Sequence, residues 1–134
     1  MSQDENPEAV PQALKTWFVI HFVIDMLFAI PLMAAPVFSL ELFGWNHVEP
    51  IATRLVAAAL FGIGIESYLG RNAGQEAFRG MLNLKIIWSS GAILAFLISI
   101  LTDFQNWPPF GWAILLIFVI FNIVWGYWRR KLKS

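Results

Sequence analysis

Four apolar segments, each long enough to cross a lipid bilayer, constrain this sequence of 134 residues more than any other feature. A helix needs about 20 predominantly apolar residues to span the hydrocarbon core. The segments cover residues 13–35, 50–70, 75–101 and 108–128, with short connections between them. Only 13% of all residues are charged, about half the fraction found in a typical soluble domain. The sequence therefore predicts an all-α fold, a polytopic membrane protein built as a four-transmembrane-helix bundle.

The remaining stretches predict two tails and one short helix. Residues 1–12 are polar and acidic and contain two prolines, which is typical of a disordered tail. Residues 13–130 make up the predicted transmembrane domain, and residues 131–134 a basic cytoplasmic tail. Residues 37–45 are apolar and aromatic but too few to span the membrane. We therefore expect a short interfacial helix between the first and second spans.

Basic residues are distributed unevenly across the two sides of this predicted bundle. With four spans, both termini and the second connection lie on one side of the membrane. Seven basic residues fall on that side and one, Arg54, on the other; the seven are Lys15, Arg71, Arg79, Arg129, Arg130, Lys131 and Lys133. Because cytoplasmic loops are enriched in Lys and Arg, we expect a multi-pass protein of the cell membrane with cytoplasmic N- and C-termini. We expect no nucleic-acid partner, because no other basic surface is evident.

Polar side chains within the spans are the candidate site. At about 1.5 Å rise per residue, His21 lies about 12 Å and Asp25 about 18 Å from the cytoplasmic end of the first span. Glu66, Lys85 and Asn122 fall in the same half of their own spans. An ionised side chain facing lipid costs about 2.5–3.5 kcal/mol even on the mildest scale. We therefore expect this set to face inward as an intramembrane polar cluster that either stabilises the bundle or binds a ligand.

Lys85 is the one buried cation at the depth of the two acidic side chains. Asp25 lies deeper than Glu66, so we expect Lys85 to pair with Asp25, leaving Glu66 in contact with water, a ligand or Asn83. An opening of the cluster to the cytoplasm would admit a ligand headgroup or a proton. The signal for a metal site is weak, because Lys85 lies beside the acids and no Glu-x-x-His pair occurs. No cofactor is indicated.

Small residues predict where the helices contact one another. In the second span Arg54, Ala58, Gly62 and Glu66 follow one another at intervals of four and share a face. Small residues allow close helix packing in membranes, so we expect Ala58 and Gly62 to pack inward and Leu60 to face lipid. In the third span the expected packing residues are Gly91 and Ala95.

Two further groups of side chains are expected to mark the edges of the bundle. We expect Arg54 to act as an anchor at the outer membrane surface, paired with Glu49 or Asp103. The tryptophans are expected to lie mostly in the aromatic belts at the two membrane surfaces.

The chain resembles the DoxX-like group of small four-helix membrane proteins. The similarity consists of an arginine that opens the second span, a small-residue run after it, and a polar third span: Ala52, Thr53, Arg54, Gly62, Ile63, Gly64, Lys85 and Trp88. This resemblance implies a left-handed four-helix bundle, without an established activity for most members, although some are subunits of quinone-linked redox complexes. A more distant similarity is to the emopamil-binding and sigma-2-receptor type, which binds sterols through intramembrane acidic residues. The chain has Asp25 and Glu66 but not the fuller acidic set of that group.

Three functions follow as hypotheses. The first is a non-enzymatic accessory subunit, or a binder of an apolar ligand such as a quinone, lipid or pigment within the bilayer. The second is an enzyme acting on a lipid or sterol-like substrate, with Asp25 or Glu66 as acid–base and His21 beside it. The third is a small proton-coupled transporter. The expected partners are the lipid bilayer and either a larger membrane complex or further copies of the chain.

Overall fold

The structure, a computed structural model, describes residues 9–132. In this part of the chain every regular element is helical and no strand occurs. The five α-helices are α1 (Gln12–Ala34), α2 (Pro36–Leu42), α3 (Pro50–Leu69), α4 (Gln75–Thr102) and α5 (Pro109–Lys131). α1, α3, α4 and α5 are long and apolar enough to cross a membrane. The predicted four-helix membrane bundle, with a short helix between its first two spans, is thereby confirmed.

Prolines and one glutamate set the helix boundaries. Pro36, Pro50 and Pro109 are the first residues of α2, α3 and α5, a position that needs no backbone N–H donor. The Glu49 carboxylate caps α3 by accepting a hydrogen bond of 2.6 Å from the Ala52 backbone N–H. Pro31 lies within α1 without ending it.

The predicted tails only partly coincide with the described residues. Residues 1–8 and 133–134 lie outside the described part of the chain, and so does most of the predicted disordered tail. Val10 belongs to the buried core, and Ala9 accepts a hydrogen bond of 3.4 Å from the Gln75 side chain. Leu132, within the predicted basic tail, is also buried. The packed domain therefore extends past residues 13–130 at both ends.

The predicted packing face of α3 is wrong: at about 100° per residue, the buried residues lie about 160° around the helix from the predicted face, nearly on the opposite side. The buried residues of α3 are Thr53, Ala57, Leu60, Gly64 and Ser67, whereas Ala58 and Gly62 are exposed. A Cβ added to Gly64 would lie 2.8 Å from the Asp25 Cβ atom of α1. A Cβ on Gly62 would meet no described atom within 4 Å. Close contact between α1 and α3 therefore runs through Gly64, and Leu60 faces inward.

The packing assignments in α4 are also corrected. Gly91 and Ala95 are exposed and lie outside the packed core. A Cβ on Gly91 would meet no described atom within 4 Å. Both residues line a cavity between the helices. The buried residues of α4 all belong to its first half: Phe78, Leu82, Lys85 and Ser89.

The end of the bundle that carries the chain termini, here called the terminal half, is closely packed. Its core combines the start of α1, the start of α4 and the end of α5: Val10, Leu14, Phe18, Phe78, Leu82, Phe121, Trp125 and Leu132. Phe18 of α1 stacks on Phe78 of α4 with ring centroids 4.5 Å apart, and its edge meets Trp125 of α5 at 5.7 Å. Aromatic rings thus join the α1–α3 pair to the α4–α5 pair.

At the opposite end, here called the loop half, the two helix pairs contact each other mainly through the α1–α3 connection and the α4–α5 connection. Trp45 contacts Trp107 edge-on with centroids 5.9 Å apart, and Phe43 stacks on Phe110 at 4.9 Å. Gly44 has a φ of +104°, and a Cβ there would lie 2.8 Å from the Pro108 side chain. Glycine is therefore required for both backbone conformation and space.

Candidate functional site

Lys85 lies at the centre of a buried polar cluster near the boundary between the two halves. Only 2% of its surface is exposed. Its Nζ atom donates a hydrogen bond to the His21 Nδ1 atom at 2.5 Å and a second one to the Ser67 hydroxyl. The Phe18 and Trp125 rings lie 4.7 and 4.9 Å from Nζ, at distances suited to cation–π interaction. The amine is therefore surrounded by two acceptors and two aromatic faces.

His21 connects Lys85 to Asp25. A lysine ammonium group has donors only, so His21 Nδ1 must accept its hydrogen bond. The proton of the neutral imidazole is then on Nε2, which lies 3.3 Å from Asp25 Oδ1 and donates to it. The three side chains form a linear chain, Lys85–His21–Asp25, that joins α4 to α1. Ser67, which donates onward to the Ile63 carbonyl at 2.7 Å, adds α3 to the cluster.

The predicted pair of Lys85 and Asp25 therefore occurs through a bridge. Within the described residues no direct ion pair joins the two side chains, because the His21 ring lies between them. The sequence predicted that His21, Asp25 and Lys85 lie at a similar depth in the membrane. It did not show that the imidazole would occupy the space between the charges.

Two members of the predicted cluster lie elsewhere. Glu66 is on the exposed side of α3, one residue from the buried Ser67. Asn122 of α5 is half-buried and donates to the Ser89 and Ser90 hydroxyls at 2.8 and 3.0 Å. Glu66 is therefore outside the site, whereas Asn122 supports it indirectly by holding α5 against α4.

Asn83 and Arg54 also have partners other than those expected. The Asn83 amide oxygen accepts a hydrogen bond of 2.8 Å from Arg129, rather than contacting Glu66. Arg54 donates through Nε to the Met33 carbonyl at 3.1 Å, so it joins α3 to the end of α1. The Glu49 side chain, one of its expected partners, caps α3 instead.

On the terminal side of the cluster, apolar side chains form a dense layer. Leu14, Phe18, Phe78 and Leu82 are completely buried there, with no exposed surface. Apolar packing therefore closes the cluster on the side of the chain termini, where an opening would admit a headgroup or a proton. Any molecule that reaches the cluster has to approach from the loop half.

A cavity of about 750 Å³ occupies the loop half and ends at the polar cluster. His21, Asp25 and Ser89 line its inner end, and Trp45, Ser99 and Trp107 line its outer end. Ser89 and Ser99 are ten residues apart on α4, so the cavity extends over about 15 Å of helix. The size falls within the range of about 300–1,000 Å³ typical of small-molecule sites.

The cavity wall is apolar and rich in aromatic rings. Nine of its lining residues are aromatic: Phe28, Phe43, Trp45, Trp88, Phe96, Trp107, Phe118, Phe121 and Trp125. The hydroxyls of Thr53 and Ser99 also line it, but each donates to a carbonyl of its own helix. Two lining residues of the described chain have a buried polar atom without a hydrogen-bond partner: Asp25 through Oδ2 at the inner end and Trp107 through Nε1 at the outer end.

Several residues of the site were not identified from the sequence. Ser67 belongs to the buried stripe of α3, and its spacing of three residues from Gly64 and seven from Leu60 was the available signal. Trp88 and Trp125 were expected in the membrane-surface belts, but they line the cavity. A tryptophan in a membrane helix is compatible with either location, so composition did not separate them.

Comparisons with known proteins give no assignment. The chain matches no protein-family model, no curated protein and no solved structure. The site is therefore interpreted from its own geometry.

Proposed function

We propose that this protein binds an elongated, largely apolar small molecule inside the membrane. The observation that supports this function is the cavity of about 750 Å³, apolar along its walls and polar at one end. Binding sites for small molecules are typically concave and apolar, with a few convergent polar groups that fix the orientation of the ligand. The inner end of the cavity offers such a group in His21, Asp25 and Ser89. A quinone, a lipid or a pigment has the required overall shape.

The placement of the acidic residues favours binding over catalysis. An acid–base mechanism with Asp25 and Glu66 would need both carboxyl groups at the substrate. Asp25 lines the cavity, but Glu66 is on the exposed side of α3. An enzyme that acts through Asp25 and His21 alone is the second candidate, and it needs the same cavity.

The packing of the terminal half argues against a proton-coupled transporter. A proton path through the chain would have to continue from Lys85 toward the termini. The completely buried side chains of Leu14, Phe18, Phe78 and Leu82 occupy that direction. The closed side is compatible with a molecule that enters and leaves by one end.

For the cellular setting, we propose a cell-membrane protein with cytoplasmic termini. The basis is the seven-to-one distribution of basic residues, which follows the usual bias toward the cytoplasmic side. We further propose an accessory role within a larger membrane complex or a homo-oligomer, as the DoxX-like resemblance implies. Ala58 and Gly62 lie on the exposed side of α3 and would allow another helix to approach closely.

Purification in a mild detergent tests the binding function. Extraction of the purified protein and mass spectrometry should identify an apolar molecule in a fixed ratio to protein. Ala92 lines the cavity, so Ala92→Trp should fill part of the space and lower that ratio. Leu94 is 58% exposed on the outside of α4, so Leu94→Trp is the matched control and should retain the ligand. Equal retention by both variants would place the bound molecule outside the cavity and contradict the proposal.

A further inference from the structure

The inner end of the cavity has more hydrogen-bond acceptors than donors. The Lys85 amine directs two donors at His21 and Ser67 and faces aromatic rings with the remainder of its surface. His21 uses its one ring proton on Asp25 Oδ1. The Ser89 hydroxyl donates to the Ile86 carbonyl and accepts from Asn122. Of Lys85, His21 and Ser89, only Lys85 has a donor beyond these hydrogen bonds, and that N–H faces the aromatic rings.

Asp25 is the acceptor with unused capacity. An ionised carboxylate has about four lone-pair sites, and within the described residues Asp25 accepts one hydrogen bond, from His21. Its Oδ2 atom is buried and has no hydrogen-bond partner in the described part of the chain. Only 5% of Asp25 is exposed, so bulk water does not take the place of that partner. Gly64 of α3 packs closely beside this carboxylate, since a Cβ there would lie 3.2 Å from Oδ2.

From this imbalance we propose that the ligand carries a neutral hydroxyl group, a phenol or an alcohol, which donates a hydrogen bond to Asp25. This inference rests on the proposed function and specifies the ligand class. The hydroxyl is at one end of the molecule, because Asp25 lies at the inner end of the cavity. The ring-lined wall accommodates a flat ring or a conjugated chain, since aromatic pairs gain from stacked and edge-on contacts.

Charge and hydrogen-bond type exclude the other common headgroups. A ketone or an ether oxygen would face acceptors and leave the Asp25 oxygen without a partner. A carboxylate would be repelled by Asp25. An amine cation would add a second positive charge where Lys85 already balances Asp25, and an uncompensated buried charge is costly. A neutral donor is the group that matches the site.

A pair of probes that differ by one hydrogen-bond donor tests the ligand class. α-Tocopherol carries a phenolic hydroxyl on a ring with an apolar tail, and its methyl ether has the same skeleton without the donor. Both are added together to the full-length protein in detergent, and native mass spectrometry resolves the two complexes by mass. We expect the phenol to bind at least about tenfold more tightly, a ratio that corresponds to about 1.4 kcal/mol. The preference should persist when the proportions of the two probes are reversed.

Two variants connect the preference to Asp25. Asp25→Asn supplies an amide that donates as well as accepts, so the ratio of the two affinities should fall close to one. Glu66→Gln is the matched control, because it makes the same change from carboxylate to amide on the exposed side of α3, outside the cavity lining. It should keep the wild-type ratio. The wild-type measurement alone decides the proposal if Asp25→Asn does not fold.

The outcomes separate this inference from the binding function on which it rests. Equal binding of the two probes, or tighter binding of the ether, would overturn the hydroxyl assignment and leave the cavity function intact if Ala92→Trp weakens both. Loss of the preference in Glu66→Gln would also overturn the assignment to Asp25. Failure of either probe to bind, or binding that Ala92→Trp leaves unchanged, would overturn both proposals.

Discussion

The terminal and loop halves of the bundle contain similar apolar and aromatic residues but pack in opposite ways. In the terminal half, aromatic contacts cross between the helix pairs, as between Phe18 and Phe78. In the loop half, Phe118 contacts both Trp88 and Phe96 within the α4–α5 pair. The rings that cross between the pairs there, such as Phe43 on Phe110, lie in or beside the connections. Rings that contact across the pairs close the bundle, and rings that contact within one pair leave space between the two. The direction of contact, rather than hydrophobic content, decides where a cavity forms.

The largest expected effect is loss of the Lys85 amine, which joins three helices at the boundary between the halves. Lys85→Met should destabilise by about 3–5 kcal/mol, because it leaves Asp25 as a buried charge without its balancing cation. Adding Asp25→Leu should recover much of the loss, since both charges are then absent. Unfolding of the wild type, the two single variants and the double variant in detergent measures the coupling free energy between Lys85 and Asp25.

Glu66→Leu combined with Lys85→Met is the control for that cycle, because Glu66 lies on the exposed side of α3. We expect no recovery from it. Coupling of Lys85 to Glu66 but not to Asp25 would contradict the observed chain of contacts through His21.

Truncation of one aromatic ring in each half tests the packing difference directly. Phe18 is completely buried, so Phe18→Ala should cost about 3–5 kcal/mol through lost contacts and a new cavity. Phe96 lines the existing cavity, so Phe96→Ala should cost clearly less. Thermal unfolding in the same detergent gives the comparison, and equal losses would mean that the loop half is as well packed as the terminal half.

Two neighbouring glycines of α3 test its orientation. Gly64→Ala should destabilise by about 1–3 kcal/mol, because the new Cβ would overlap Asp25 and Met26 of α1. Gly62→Ala should be neutral or slightly stabilising, since it fills open space on the exposed side and alanine favours helix. If Gly62→Ala lowered the unfolding temperature more than Gly64→Ala, the face predicted from the sequence would be the one that packs inward.

The smallest expected effect is at the outer edge of the loop half. Arg54→Gln should remove the hydrogen bond to the Met33 carbonyl and cost about 0.5–1.5 kcal/mol. Asp103→Asn, at the partner expected from the sequence, should not change the effect of Arg54→Gln. Non-additive losses in the double variant would show that Arg54 pairs with Asp103 after all.

The number of spans and the depth of their polar residues follow from the amino-acid sequence without any tertiary information. Length and composition decide whether a helix crosses the bilayer, and each residue advances a helix by about 1.5 Å. The four spans and the common level of His21, Asp25 and Lys85 followed from these two regularities. Neither depends on how one helix is turned toward another.

The tertiary structure alone decided the rotation of each helix, and with it the site. A membrane helix that is apolar nearly all round has no polar side to indicate which face turns inward. Glu66 and Ser67 are adjacent and at nearly the same depth, yet Glu66 is exposed and Ser67 contacts Lys85. Gly64 permits that rotation, because a Cβ at this position would lie 2.8 Å from the Asp25 Cβ atom of α1. The cavity likewise follows from contacts distant in sequence, which local patterns do not specify.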